Sequence, residues 1–338
     1  MTKRNVTIVG AGSFGTALAL VLDTAGNNVQ IWAREKEIAE QINKTQINPA
    51  YLSDVQLPRS IKAYNNLEQC LQGQDMVVFA TPSHTLRKVA EKIKKSLNGN
   101  EILVTVSKGI ENDTFETMSQ VLVEVMKGKT FEDNIGVLYG PSHAEEVSKL
   151  KPTTVVASAY STRTARIIQE TFLTPMFRVY INNDVIGVEI GGSVKNIMAI
   201  AAGIIDGAEL GDNSKAALIT RGLHEMKRMG LMMGAHSDTF SGLTGMGDLI
   251  VTCTSTHSRN RFVGYRIGKG EKLDDIIKSM NMVAEGVKTT KSVRDWSLKN
   301  NVEMPITHAI YSVLFENVDP KDALYELMTR DPKDEIVM

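Results

Sequence analysis

Short apolar runs separated by stretches of helical spacing fill the first half of the chain. Val6–Val9, Val29–Trp32, Met76–Ala80, Ile102–Val106, Ile135–Tyr139 and Thr154–Ala157 are rich in β-branched and aromatic residues, as strands require. Their alternation with helical patterns predicts an α/β fold with a doubly wound sheet. After Tyr180 the strand signals fade and spacings of three and four take over, so a boundary is expected near Ile181. The sheet domain then spans residues 1–180 and an all-α domain spans 181–338, with the acidic tail from Asp319 onward as a structural helix.

One stretch organises the second half. From Asp184 to Asp206 the chain is almost wholly apolar, and between Val194 and Ile205 only Lys195 and Asn196 are polar. Ile190, Val194, Ile197, Met198, Ala201, Ala202 and Ile205 recur at helical spacing, which predicts a buried helix capped by Asn183 or Asp184. Gly191 and Gly192 are poor helix formers, so another backbone, a cofactor or a substrate is expected to approach there. A lysine among small apolar side chains either snorkels its ammonium to water or stays dehydrated, with a depressed pKa suited to acid–base work.

Other candidate chemistry gathers at strand ends and glycine-rich stretches. Val6–Val9 leads into Gly10-Ala11-Gly12-Ser13-Phe14-Gly15 and then a helical pattern. In that setting the three glycines make the turn, let a pyrophosphate touch backbone and pack helix on strand, so the motif predicts a dinucleotide site. After Val29–Trp32 an acid is expected for the ribose of NAD, but Ala33-Arg34 comes first. The guanidinium suits the 2′-phosphate of NADP, and Glu35 keeps NAD open. Turns at Thr81-Pro82-Ser83, Ser107-Lys108-Gly109 and Gly140-Pro141-Ser142 follow three predicted strands, where such sheets bind ligands. Lys108 is read either as an anion or carbonyl contact or as a surface lysine, and His143 as a helix start. Ser241 to Asp248 and Cys253 to Asn260 read as a loop site, with Ser258, Arg259 and Asn260 at a helix start suited to phosphate. Met282 to Gly286 reads as a second short loop.

Composition narrows the partners. The chain has 338 residues, 42% hydrophobic and 23% charged, with 38 basic and 39 acidic residues balancing to a formal charge of -1. No general field attracts nucleic acid or an anionic membrane, so an anion must be caught locally. Cys70 and Cys253 are too few and too distant for a disulfide framework, which fits a reducing cytoplasm. Cys253 and His257 lack a second pair with ligand spacing, so no metal is expected. The N-terminus reads directly into the fold without a signal core, and no apolar run approaches the roughly 18 residues of a membrane span.

GAGSFGTA, SKGI, GPSHAEEV, GGSVKNIMAIAAGIIDG, SGLTGMGDLIVTCTSTHSRN and VAEG occur in an order and spacing that resemble bacterial NAD(P)-dependent sn-glycerol-3-phosphate dehydrogenases over nearly the whole chain. The resemblance implies an N-terminal Rossmann domain and a helical C-terminal domain. It implies cofactor contacts at the glycine turn (Gly10, Gly12, Gly15) and at Ser13, Phe14, Arg34, Lys108, Ala144, Arg259, Val283 and Glu285. Lys195 is implied as the proton acceptor, and Lys108, Gly140, Ser142, Lys195, Asp248, Ser258, Arg259 and Asn260 as substrate contacts. The implied cofactor is NADP(H) or NAD(H) without a metal, and the substrates are dihydroxyacetone phosphate and sn-glycerol 3-phosphate. The implied reaction is reversible hydride transfer that supplies glycerol phosphate for phospholipid synthesis. Localisation is expected to be cytoplasmic, and the assembly state, a homodimer among the choices, stays open. Two rivals are a β-hydroxyacid dehydrogenase and a non-catalytic NADP(H) sensor. The first has G-x-x-x-K-x-x-x-N, whereas here Asn196 directly follows Lys195. Against the second stands the joint presence of Lys195, Asp248 and Arg259.

Overall fold

The computed structural model describes residues 2–280, 282–332 and 334–335. Eight strands form one sheet: β1 (Asn5–Val9), β2 (Asn28–Trp32), β3 (Lys62–Tyr64), β4 (Met76–Phe79), β5 (Ile102–Thr105), β6 (Ile135–Tyr139), β7 (Thr153–Ala159) and β8 (Phe177–Ile181). Their order is β3-β2-β1-β4-β5-β6-β7-β8. Neighbours run parallel from β3 to β6, β7 is antiparallel to β6, and β8 is parallel to β7. β4, β5 and β6 are buried along their whole length, which is why they read as continuous apolar runs. The sequence pattern missed β3 and β8. β3 is a three-residue edge strand, and β8 alternates buried Phe177 and Val179 with exposed Arg178 and Tyr180. A strand with one wet face forms no apolar run.

The predicted helix spans Val185–Gly207, and of the two candidate caps Asp184 serves: its Oδ1 accepts from the Gly187 amide at 2.8 Å. Apart from Ile186 and Asp206 every residue of it is buried, because the helices Asp212–Met232, Asp248–Thr254, Arg259–Gly268 and Glu285–Lys299 pack around it. The expectation that nothing approaches a membrane span needs correcting. This helix is long and apolar enough to cross a membrane, yet its apolar stretch is wholly buried inside the protein. A core helix enclosed on every side passes the same test as a helix in lipid.

Glycines let backbones meet on this helix. A Cβ on Gly203 would lie 2.0 Å from the Arg261 carbonyl oxygen, and one on Gly264 would lie 1.9 Å from that of Ile200. Gly207 and Gly268, one turn further along, are equally tight, so the two helices cross in backbone contact. Near the other end, Gly191 is held against the Thr244 carbonyl and Gly192 against the ring of Tyr139. The expected close approach is therefore made by backbone and an aromatic ring.

Buried carboxylates cap helices other than their own, and one of them, Glu189, ties the two halves together. Glu189, in the central helix, accepts from Thr117 Oγ1 at 2.7 Å and the Ser119 amide at 2.8 Å, at the start of the sheet-side helix Met118–Met126. Glu225 likewise receives the amides of Ile306 and Thr307 at the start of the helix Pro305–Phe315.

Candidate active site

A cleft of about 500 Å³ runs along the carboxyl ends of the strands, where the sheet meets the helical half. It begins at the glycine turn. Gly10 has φ +124°, and a Cβ there would sit 2.6 Å from the Ala80 carbonyl oxygen at the end of β4. A Cβ on Gly15 would meet the Gly10 carbonyl oxygen at 2.1 Å, so only glycine lets the helix Ser13–Thr24 pack so close to the turn. Gly12 differs, since a Cβ there would project into open space; its value is the bare backbone it offers to the cleft. No side chain caps this helix and no acid lies in its first turn, so its amides and dipole face the cleft uncompensated. That cradle fits a pyrophosphate, and Thr81 Oγ1 is a buried, unpartnered hydroxyl in the same wall. β1 and β4 part at this point, which is the switch of the strand order. Arg34 follows β2 at the rim, 78% exposed, with Nε 2.7 Å from Glu35 Oε1.

Deeper in, two lysines share one carboxylate. Lys195 Nζ donates to Asp248 Oδ1 at 2.5 Å and to Thr252 Oγ1 at 2.6 Å, and Lys108 Nζ donates to Asp248 Oδ2 at 2.7 Å. Lys108 also reaches the Gly140 carbonyl at 3.0 Å, which accepts from Ser142 Oγ at 3.0 Å as well. Burial pulls Lys195 down to about 8, with Lys108 pushing the same way and Asp248 opposing. Burial alone would raise the Asp248 carboxyl, but the charges and hydrogen bonds of both lysines outweigh it and hold it below its usual range. The result is an ammonium near neutrality beside a fixed anion.

The far wall comes from the helical half. Ser258 caps the helix Arg259–Gly268, accepting from the Arg261 amide at 3.2 Å, so the Arg259 guanidinium stands at a helix start. It bonds the Val283 carbonyl at 3.2 Å. Asn260 Nδ2 donates to Asn196 Oδ1 at 2.9 Å, and its Oδ1 accepts from the Gly286 amide at 2.9 Å. Since Asn196 follows Lys195, this ladder fixes the arginine turn relative to the buried lysine. Glu285 closes the cleft to the sheet by accepting from the Ser83 amide at 2.9 Å and Ser83 Oγ at 2.6 Å; burial raises its carboxyl pKa.

The sequence pattern of the family described as NAD-dependent glycerol-3-phosphate dehydrogenase matches over residues 5–165 for its N-terminus and 184–325 for its C-terminus. A glycerol-3-phosphate dehydrogenase [NAD(P)+] of Salinibacter ruber is 51% identical over 331 residues, covering 98% of this chain and 96% of its own. The chain belongs to the glycerol-3-phosphate dehydrogenase family. A member from Chlorobium limicola is also 51% identical, covering 98% of this chain and 99% of its own. The crystal structure of glycerol-3-phosphate dehydrogenase from Coxiella burnetii superposes with a TM-score of 0.92 at 36% identity, covering 97% of this chain and 99% of that one.

Within this family member the fold brings together most of the residues singled out by sequence. Gly10, Gly12, Ser13, Phe14, Arg34, Lys108, Ser142, Ala144, Lys195, Asp248, Ser258, Arg259, Asn260, Val283 and Glu285 line one cleft. Gly15 and Gly140 are not in its lining; Gly15 packs against the Gly10 carbonyl, and Gly140 presents its own carbonyl to Lys108. Two expectations of loops were wrong. Leu243–Gly247 forms a π-helical turn and Asp248–Thr254 an α-helix, because a Cβ on Gly245 would collide with Phe240 backbone and the glycines serve packing. Glu285 opens the helix Glu285–Lys299, with Ala284 as its cap position, so Gly286 is helical too. Sequence reasoning passed over Thr252 and gave no site role to Asn196, to His143, which does start the helix Ala144–Val147 as expected, or to Met282, whose Sδ lies 3.7 Å from Ser13 Oγ. Thr252 had a signal: it stands four residues after Asp248 and shares its helix face. Among the described residues no cluster of three or more His, Cys, Asp or Glu could hold a metal.

Proposed function

We propose that this chain is an NAD(P)-dependent oxidoreductase that interconverts dihydroxyacetone phosphate and sn-glycerol 3-phosphate, in the cytoplasm and in support of phospholipid synthesis. The observation that carries the reading is the buried Lys195, held by Asp248 and Thr252 in a cleft that opens from the glycine turn. A bound nicotinamide would supply the hydride chemistry at the substrate's central carbon. Lys195 gives or takes the proton on the adjacent oxygen, and its charge stabilises the developing alkoxide. Asp248 orients that ammonium and keeps it partly protonated despite burial. Gly10, Gly12 and Gly15, with Ser13 and Phe14, would hold the diphosphate region of the cofactor, Arg34 the ribose end, and Lys108, Ala144, Arg259, Val283 and Glu285 the remainder. Lys108, Gly140, Ser142, Asp248 and the Ser258–Asn260 turn hold the substrate. In this reading the domains meet near Ile181, the last residue of β8, and the cofactor half lies before it.

The substitution pattern favours this over a β-hydroxyacid dehydrogenase, since Asn196 is bonded to Asn260 and position 199 is an alanine. The test is NADPH oxidation with dihydroxyacetone phosphate, with Lys195→Ala as control. Oxidation by the wild type that the variant loses supports the reading; no substrate-dependent oxidation with either NADPH or NADH overturns it.

A further inference from the structure

His143 lines the cleft from the sheet side, between Ser142 and the short helix Ala144–Val147, and its backbone carbonyl starts that helix. Its side chain does no comparable work. Nε2 is buried with no hydrogen-bond partner, and among the described residues no side-chain bond is made by either ring nitrogen. A buried nitrogen left unpaired costs free energy, so such groups in native proteins call for an explanation. The surroundings give one. His143 lines the same cleft as Lys195, Lys108 and Asp248, and burial, then the charge of Lys195, lower its imidazole pKa. On its other side the ring stands 6.0 Å from that of His257, the residue preceding the Ser258–Asn260 turn.

We propose that His143 is a specificity-determining contact for the substrate's phosphate, gripping it from the sheet side while Arg259 and its neighbours grip it from the helical side. The inference rests on the dehydrogenase reading above. A neutral imidazole offers one N–H, and either ring edge can face the cleft, since a half-turn about χ2 exchanges nitrogen for carbon. The ligand chemistry is that of a phosphate monoester dianion. Lys195, Lys108 and Asp248 sum to one positive charge when all are ionised, and Arg259 adds a second, so these four groups together match two negative charges, although Arg34 with Glu35, Glu145 and Glu285 brings the formal charge of the whole lining back to zero. His143 contributes a directed donor without adding a further fixed charge, and it discriminates a phosphorylated triose from a neutral one.

The test compares wild type, His143→Ala and His143→Gln in the full chain at saturating NADPH, using dihydroxyacetone phosphate and dihydroxyacetone. NADPH affinity, read by fluorescence titration, checks the fold and cofactor site. A hydrogen bond to a charged group predicts that His143→Ala lowers the ratio of kcat/KM between the two substrates by about ten-fold or more, chiefly through KM. His143→Gln, whose amide keeps a donor, should retain more of that ratio. NADPH affinity should change less than about twofold, well under the factor of ten that a lost contact brings. An unchanged ratio overturns the proposal, whether both substrates fall in parallel or neither changes. Failure of the wild type to oxidise NADPH or NADH with dihydroxyacetone phosphate overturns the dehydrogenase reading instead, and is seen before any variant is made.

Discussion

At Lys195 burial and charge pull in opposite directions, and the balance sets the useful pH. Burial dominates and brings the ammonium to about 8, while Asp248 keeps it from falling further. Reduction needs the protonated form and oxidation the neutral one. The kcat/KM for dihydroxyacetone phosphate should therefore fall as pH rises through about 8, and that for glycerol 3-phosphate should rise through the same range. Initial rates in both directions from pH 6 to 10 check this. Asp248→Asn removes the opposing charge, so both inflections should move to lower pH; an upward move would mean that another group titrates. Lys195→Ala should lower kcat by about 10² to 10⁴ without loss of NADPH affinity. At the rim, Arg34→Gln should weaken NADPH by about ten- to a hundred-fold and largely spare NADH, since a bond to a charged group is worth roughly 1.5–3 kcal/mol. Equal loss with both cofactors would refute a 2′-phosphate contact.

Among elements, the decisive contact is the crossing of Val185–Gly207 and Arg259–Gly268, which sets the distance between Lys195 and the Arg259 turn. Gly203→Ala would drive a methyl into the Arg261 carbonyl, with no flexible side chain to give way. Overpacking typically costs about 1–3 kcal/mol, and a backbone obstacle should put this substitution at or beyond that range by urea unfolding. A midpoint within experimental error of wild type would show that the helices slide freely. The apolar period revealed the central helix because burial on all sides leaves nothing else for the pattern to mean, though it left the cap between Asn183 and Asp184. It revealed β4 to β6 for the same reason. What it missed was amphipathic or crowded: β8, whose outward residues are polar, and Asp248–Thr254, whose preceding glycines look like loop but exist for backbone contact. The site shared this limit. Motif order located Lys195, Asp248 and Arg259, whereas Asn196 matters only through a partner brought from another helix, and Thr252, one turn from Asp248, gains its role when Lys195 reaches it.

The whole molecule carries buried carboxylates that cap distant helices, and these make stability depend on pH in an unusual sense. Burial pushes Glu225 up to about 7 despite its bonds to the Ile306 and Thr307 amides. A carboxyl that is higher in the folded chain stabilises fully below its ordinary value, and that contribution is lost as pH rises through about 7. The stability difference between wild type and Glu225→Gln should therefore shift against wild type between pH 5 and 8, by no more than about 3 kcal/mol. Denaturation curves at both pH values measure it, and a shift in favour of wild type would contradict the burial of an unneutralised carboxylate. The glycine crossing has a consequence for any survey of variants by growth selection. Gly203, Gly207, Gly264 and Gly268 should score as intolerant as Lys195, though their task is to let two backbones touch. A map of lethal positions would thus draw the catalytic centre too large, spreading it along two helices, until soluble yield is scored beside survival and the four glycines separate from the lysine.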